Sequence, residues 1–453
     1  MVFPIAGGNE SKGFDVENSL RFNDNDSPLL SRTPGTTATD RKKATISFWF
    51  KIGNITDSFR SLYRFNDGSG TGAVYLRSGN DLQFAWEASS SNIDVRPDGV
   101  FRDPSAWYHA FIKFDTTQST AADRVEIYIN GVERTYSTAN YPNQNDTVNH
   151  LTSDKTYYIG GDGQSSDKYF DGYIAEFNVV DGQAKSHLDF GEFNDNGVWI
   201  PKKYTGTYGN NGFHLEFKQT GTSANSSGIG ADTSGNDKHF TVTNLAATDI
   251  TEDTCTNNFA TLNAVDTSSN ITLTEGNTIG TANSNHSASR ATIGLNSGKW
   301  YWENKIISDS GGPAVGVMAA NAPLSDQLNS TPSRFYRDSG QKISDGTGSS
   351  YGNTYTTNDI IGVALDLDNG AIYFYKNGTA ENSGTAAFTD LLSATTESWL
   401  PAIKLYNEAI SINFGNPSFS ISSGNTDGKY GNFEYAPPSG YYAICTKRLA
   451  EFG

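Results

Sequence analysis

Residues 360–378 constrain the chain most, because they show a register as well as a propensity. Two runs of alternating apolar residues, 360–368 and 371–376, meet at Asn369-Gly370. That dipeptide supplies the positive φ angles of a tight primed turn and is the strongest short-range hairpin signal a sequence offers. A two-residue loop would set Leu367 against Ile372 and Leu365 against Phe374 on one face. Asp366 would then oppose Tyr373, and Ala364 would oppose Tyr375, on the other. A second Asn-Gly at 377–378 turns the chain again, as in an antiparallel meander rather than a helix-covered parallel sheet.

The rest of the chain repeats this texture. With 46 Gly and only 2 Met in 453 residues, and Ser, Thr, Asn and Asp tracts between short apolar runs, the sequence describes a β-rich chain with many turns. That length calls for more than one core. The net charge of -17 argues against nucleic acid or an anionic membrane as partner, since counterion release needs a basic face. No unbroken apolar run reaches the roughly 20 residues of a membrane span. Residues 1–8 lack the basic start and long apolar middle of a secretory signal, so synthesis in a cytosol is expected. Cys255 and Cys445 match neither zinc nor redox spacing and read as free buried thiols in preference to a disulfide.

In chain order, residues 1–12 form a short polar lead, a candidate attachment peptide. Alternation then places Ile46, Phe48 and Phe50 on one face of a strand and Thr45, Ser47, Trp49 and Lys51 on the other. Further strands are read at 61–65, 73–76, 82–86, 107–114 and 125–131, at the spacing of a β-sandwich. Residues 220–238 carry almost no apolar side chain and are the best linker candidate, a composition that is also compatible with an ordered surface loop. At 437–438 two prolines block a helix, and the apolar run after them is expected to pack back on a sheet.

Four pieces of the first block carry a resemblance: Ile46-Ser47-Phe48-Trp49-Phe50, Trp107-Tyr108-His109-Ala110, Val125 to Gly131, and Tyr157 to Gly161 followed by Phe170 to Phe177. In this order they resemble the laminin-G or concanavalin-A-like lectin superfamily. Gly298-Lys299-Trp300-Tyr301-Trp302-Glu303, Pro313 to Met318, Ile361 to Asp366, Trp399 to Ile403 and Ile410 to Gly415 resemble the SPRY domain. Residues 204–263 and the 433–446 tail are similar to segments of marine bacteriophage proteins that join a lectin-like domain to a SPRY domain. The expected fold is therefore all-β, two antiparallel jelly-roll-like sandwiches in tandem. The expected boundaries are 13–203 for the lectin-like sandwich, 204–254 for a connector, 255–420 for the SPRY-like sandwich and 421–453 for the tail.

Chemistry-bearing patterns are few. The six histidines never fall within four residues of one another, and His109, inside a strand, reads as structural. There is no Gly-x-Ser-x-Gly elbow and no phosphate loop. The Glu-x-Asp-x-x-Glu triplet of glycosidases on the lectin-like fold is missing as well, so no enzyme is expected. Calcium is the cofactor that two acidic loops could take, through Asp24 and Asp26 in one and Asp162 and Asp167 in the other. Asp366 and Asp368 are already explained by the hairpin. For ligand, the charged and aromatic segment 333–338 reads as a rim loop. Arg334, Phe335, Tyr336 and Arg337, with Tyr351 and Tyr355, are its candidate contacts.

The resemblance implies a virion surface protein, a tail fibre or decoration subunit made in the host cytoplasm and exposed on the particle. Its implied partners are other virion proteins and a host surface polysaccharide or envelope protein, with no membrane insertion. A homo-oligomer is expected, built through sheet or loop faces because no heptads occur. The alternatives are a purely structural capsid or tail accessory protein, and a polysaccharide depolymerase. The last would need a carboxylate pair about 5 to 9 Å apart in a groove.

Overall fold

The computed structural model of the chain describes residues 13–55, 58–66, 71–87, 90–153, 155–163, 168–283, 286–324 and 331–453. They fall into two compact units, Ser11–Thr256 and Asn257–Gly453, each built on a pair of antiparallel sheets, to which the first adds the two-stranded ribbon of Gly191–Phe193 and Trp199–Pro201. Among the described residues no helix is long and apolar enough to cross a membrane.

In the N-terminal unit one sheet runs in the order Val132–Glu133, Val125–Ile129, Tyr108–Asp115, Lys43–Ile52, Gly172–Asp181, Ser19–Phe22, Ile250–Thr251. The facing sheet runs Tyr136–Asn140, Asn92–Pro97, Leu82–Glu87, Thr71–Leu76, Arg60–Asn66, Thr156–Ile159, Leu29–Arg32, Thr241–Thr243. Ile46, Phe48 and Phe50 enter the core between them, as their alternation requires. The opposite face of that strand is buried too: Thr45, Ser47, Trp49 and Lys51 are all covered, because a second apolar layer lies outside this sheet.

The stretch 204–254, expected to connect, contributes strands to this unit. Phe213–Leu215 pairs with Gly172–Asp181, Thr241–Thr243 with Leu29–Arg32, and Ile250–Thr251 with Ser19–Phe22. Its polar composition is that of an ordered loop held by side chains. Asp232 accepts backbone N–H groups of His214, Ser234 and Lys238 at 2.9, 2.9 and 2.8 Å, and Asn236 Nδ2 donates to the carbonyls of Gly209 and Gly212. Polarity alone does not separate such a loop from a tether.

The strand Gly172–Asp181 changes partner midway. Ser19–Phe22 lies against residues 172–174 and Phe213–Leu215 against residues 177–179. Between them a bulge puts Glu176 at φ +49, a left-handed conformation that a non-glycine residue adopts only when its surroundings fix it.

In the C-terminal unit one sheet runs Leu262–Thr267, Ser287–Ala291, Trp399–Leu405, Ala314–Ala319, Ser333–Arg337, Gln341–Ser344, Thr347–Ser350. The other runs Ile271–Thr274, Ile279–Ala282, Ala409–Asn413, Lys299–Ser308, Ile360–Asp366, Ala371–Lys376, Thr379–Ala380. Trp300 and Trp302 point into the core with Val363, Leu365 and Phe374.

The hairpin of Ile360–Asp366 and Ala371–Lys376 has the expected faces and a different loop. Leu365 opposes Ile372, Val363 opposes Phe374 and Ala364 opposes Tyr373, so the loop is 367–370 rather than 369–370. Asp366 is the reason: its carboxylate accepts the backbone N–H of Asn369 at 3.0 Å and Asn369 Nδ2 at 2.8 Å, tying off a wider turn. The register moves by two residues, which keeps every side chain on its face. The tight primed turn occurs instead at Asn377-Gly378, with φ of +48 and +77 and Lys376 paired to Thr379.

The tail lies along the outside of the second sheet. Tyr301 and Ala364 form an apolar cluster there with Phe433, Ala443 and Cys445. The Tyr301 N–H donates to the Tyr442 carbonyl at 2.9 Å, and the Tyr442 N–H donates to the Lys299 carbonyl at 3.0 Å. Arg448 closes the wrap, its Nε and Nη2 donating to both oxygens of Asp427 at 2.9 and 2.7 Å. Cys255 and Cys445 are free thiols.

Candidate functional site

A sandwich strand alternates inward and outward, so each sheet has an outer face that must be covered or wetted. In the N-terminal unit the sheet containing Lys43–Ile52 is covered. Trp49 and Ala175 pack with Val16 and Trp199, and Phe111 and Val180 pack with Phe190 and Tyr208. His109 is sealed within this layer. Its Nδ1 accepts from Trp199 Nε1 at 3.0 Å, which leaves the hydrogen on Nε2 to bond Ser47 Oγ at 2.8 Å, and burial lowers its pKa to about 3. It is a neutral structural residue. Glu176 and His214 meet on the same side, Nε2 to Oε2 at 2.8 Å.

The facing sheet has the opposite character. Its inward residues Leu62, Phe65, Val74, Phe84, Trp86 and Val95 fill the core, while its outward residues are polar, small or aromatic and belong to none of the apolar clusters. Pairing assembles a row across the strands: Tyr158 opposes Arg64, Arg64 opposes Ala73, Ala73 opposes Ala85, and Ala85 opposes Asp94. Directly opposed residues share a face. A second row lies one pleat along, where Tyr75 opposes Gln83.

Of the two alanines Ala73 is buried and Ala85 is partly exposed. On one side stands Tyr75, which is partly exposed, packs edge-on against Phe59 at 5.9 Å and carries the Lys168 ammonium 6.0 Å from its ring. Gln83 Nε2 donates to Asp94 Oδ1 at 2.9 Å, and Arg96 Nε donates to the same oxygen at 2.9 Å. At the other end Arg64 is paired with Asp162, and Lys168 stands 3.7 Å from that carboxylate. Arg64 and Lys168 thus share the carboxylate of Asp162, and Arg96 pairs with Asp94. Arg64, Ala73 and Asp162 are buried, so what this face leaves partly exposed is Tyr75, Gln83, Ala85, Asp94 and Tyr158.

The residues expected at a ligand rim converge elsewhere. Arg334, Phe335, Tyr336 and Arg337 do not form a loop but the strand Ser333–Arg337, and the first three are buried. The alternation of charged with aromatic residues that suggested a rim is that of a strand covered on both faces. Arg334 binds Asp390 through Nε and Nη2 at 3.1 and 2.7 Å and Asp345 through Nη1 at 3.0 Å. Arg337 lies 3.4 Å from Asp338. Tyr351 and Tyr355 do come close to Tyr336, with ring centroids 5.6 and 5.3 Å away, but as buried braces. Tyr355 donates to the Pro313 or Tyr336 carbonyl and Tyr351 to that of Thr385. These residues hold the loops from within.

The acidic loops are likewise occupied by protein groups. Asp24 Oδ2 accepts from Asn54 Nδ2 at 3.0 Å and Asp26 Oδ2 from Asn23 Nδ2 at 2.8 Å. Asp162 is buried against the Arg64 guanidinium, where a cation already stands. Asp167 lies outside the described residues. Among the described residues no group of three or more His, Cys, Asp or Glu side chains is placed to hold a metal ion.

The open face was missed because its members are unremarkable singly. The available signal was the alternation of Leu82-Gln83-Phe84-Ala85-Trp86 and of Ala73-Val74-Tyr75-Leu76, which assigns Gln83, Ala85 and Tyr75 outward without saying what they meet.

Two domain types account for this geometry. Residues 24–187 match the family model of the concanavalin A-like lectin/glucanases superfamily, and residues 299–417 match that of the SPRY domain. The chain is a tandem of these two binding-type β-sandwich domains. Among curated proteins it is similar to the ATP-dependent RNA helicase Ddx1 of Drosophila melanogaster, 33% identical over 138 residues, which are 30% of this chain and 18% of the helicase. It is also similar to Ran-binding protein 9 of Danio rerio, 33% identical over 129 residues, 27% of this chain and 20% of that protein. The chain thus spans about a fifth of the length of these relatives. Among solved structures, the SPRY domain of human HERC1 is 21% identical with a TM-score of 0.29, covering 33% of this chain and 96% of that one. A heptameric SAP-like pentraxin from Limulus polyphemus is 15% identical with a TM-score of 0.30, covering 39% and 82%.

Proposed function

We propose that the chain is a non-catalytic binding protein of a bacteriophage particle, a fibre or decoration subunit that contacts the host surface through its N-terminal sandwich. The observation that carries the binding role is the asymmetry of that unit: its own chain seals one outer sheet face with two apolar clusters and leaves on the other the partly exposed Arg96–Asp94 pair, Gln83 and Tyr75. The contact surface is thus a sheet face rather than a loop rim. The carboxylates of this sheet are engaged by its own side chains: Asp94 accepts from Arg96 Nε and Gln83 Nε2, and Asp162 pairs with Arg64. The particle assignment rests on the resemblance of residues 204–263 and 433–446 to marine phage proteins that join the same two domains.

The test is flow cytometry of the labelled full chain on a panel of marine bacteria, with their extracted surface polysaccharides as competitors, beside mass spectrometry of purified virions. Saturable binding that the extract blocks supports the reading. A folded chain that is found on particles and binds no cell would leave the structural accessory role in its place.

A further inference from the structure

We propose that Lys51 and Asp253 condense, inside the folded N-terminal unit, into an isopeptide cross-link that the chain makes in itself. Contact, burial and a third group on the carboxyl converge on it.

Lys51 Nζ lies 2.8 Å from Asp253 Oδ2, and the two side chains are 1% and 0% exposed. The reacting carbon is one bond beyond that oxygen. Asp253 follows the edge strand Ile250–Thr251. Its carbonyl accepts Ser19 Oγ at 2.6 Å, and its second carboxyl oxygen, Oδ1, accepts Trp107 Nε1 at 3.1 Å. Backbone and side chain are both held, so nucleophile and electrophile meet without a search. The fully buried Tyr173 covers the ammonium, 5.4 Å from its ring, and has the Trp107 ring at 6.3 Å.

The pair carries every proton the reaction needs. One passes from the ammonium to Oδ2 along their hydrogen bond, leaving an amine and an acid. The Nζ lone pair attacks Cγ, and the carbonyl electron pair moves onto Oδ1, where the Trp107 N–H receives the developing charge. When that pair returns, the Cγ–Oδ2 bond breaks with its electrons on oxygen. The hydroxyl takes a second proton from nitrogen and leaves as water, so no co-reactant enters. An ion pair this deep keeps a desolvation penalty on each charge. Condensation removes both charges, and the burial that excludes solvent also excludes the water that reversal would need.

The bond would change what carries load. Ile250–Thr251 is a two-residue strand paired with Ser19 and Leu20. The strand of Lys51 is paired along its length with Tyr108–Asp115 on one side and Gly172–Asp181 on the other. A cross-link passes any pull on the chain beyond Asp253 from a short edge to the middle of the sheet.

The experiment is intact-mass spectrometry of the denatured full chain, after purification and after prolonged incubation at neutral pH, followed by protease digestion. The expected parent is one water lighter than its sequence, and its digest holds a branched peptide that joins Lys51 to Asp253. Lys51→Arg should keep its full mass. Because that change could disturb the fold, Asp253→Asn is run beside it with near-ultraviolet circular dichroism on each variant. An amide keeps the shape of the carboxyl and condenses by expelling ammonia, so this variant should end at the parent's mass. Trp107→Phe should leave a larger fraction uncross-linked, since one donor to the oxyanion is gone. A folded parent that retains its full mass overturns the proposal. So does a lost water without the branched peptide, or a Lys51→Arg chain as light as the parent.

Discussion

The buried carboxylate of Glu303 accepts the backbone N–H of Tyr435 at 2.7 Å and so fixes the tail to the outer face of its sheet. Its other oxygen takes the Glu434 N–H at 3.0 Å and Asn413 Nδ2 at 3.1 Å. Burial pushes this carboxyl from 4.5 up to about 7, against the opposing pull of those hydrogen bonds. A raised folded-state value means stability that is present below the unfolded value of 4.5 and lost as pH rises through 7. The C-terminal unit should therefore lose stability on the order of 3 kcal/mol between pH 4.5 and pH 8, from the size of that shift. Glu303→Gln should flatten this slope and lower stability at pH 5 by about 1 to 3 kcal/mol, because an amide cannot accept every donor aimed at it. Scanning calorimetry across that range checks it; an unchanged slope in the variant would sink the account.

Arg448 and Asp427 close the same wrap. The side chain of Asp427 is fully buried and that of Arg448 is 8% exposed. Burial alone would raise the Asp427 carboxyl, but the Arg448 guanidinium and backbone N–H groups of Tyr430 and Ala443 hold it below the usual range. Removing one partner strands the other. Arg448→Ala should cost about 3 to 5 kcal/mol and open residues 418–453 to limited proteolysis. Denaturant titration with protease mapping reads both, and a variant as resistant as the parent would refute the clasp.

The His214 ring sits beside Glu176 in the N-terminal unit. Burial lowers its proton affinity, but the hydrogen bond and charge of Glu176, with the charges of Glu216 and Asp232, raise it above the ordinary histidine value. That contribution is present below the unfolded value of 6.5 and is lost as pH climbs past the raised one. Nuclear magnetic resonance titration of the ring should place its midpoint above 6.5, and His214→Gln should remove the matching fall in the unit's thermal midpoint. A ring that titrates below the ordinary value would contradict this.

Gly131 turns the Val125–Ile129 hairpin at φ +74, and a Cβ there would stand 2.1 Å from the Trp199 ring. Gly197 has nearly the same φ, +73, and nothing within 4 Å. Both Gly→Ala changes carry backbone strain, but only Gly131→Ala also dislodges Trp199. The difference between them should be about 1 to 3 kcal/mol, measured by urea denaturation; equal losses would mean that the contact is relieved without cost.

Chelation gives a further test. Since Asp162 already faces Arg64 and Asp24 and Asp26 face asparagine amides, treatment with EDTA should leave cell binding unchanged. A loss restored by added calcium would reinstate the metal.

Much of the fold was legible. Alternation assigned Ile46, Phe48 and Phe50 to the core, and Asn377-Gly378 made the tight turn its dipeptide specifies. The other asparagine-glycine pair yielded to the Asp366 side chain, a local hydrogen bond that outranked a dipeptide preference. Residues 333–338 read as a loop because charge was equated with exposure, yet Arg334 is buried with both of its carboxylates within reach. The site was least legible of all. Arg64, Ala73, Ala85 and Asp94 come from four strands, and only cross-strand register makes them neighbours.

The partner change along Gly172–Asp181 bears on how the N-terminal unit is made. Its outer half waits for Phe213–Leu215, and Ser19–Phe22 waits for Ile250–Thr251, some two hundred residues later in the chain, on its free edge. A ribosome must therefore deliver more than two hundred residues before this sheet is complete. Nascent chains halted near residue 203 would carry half a central strand with bare N–H and C=O groups, a template for pairing with their neighbours on the polysome.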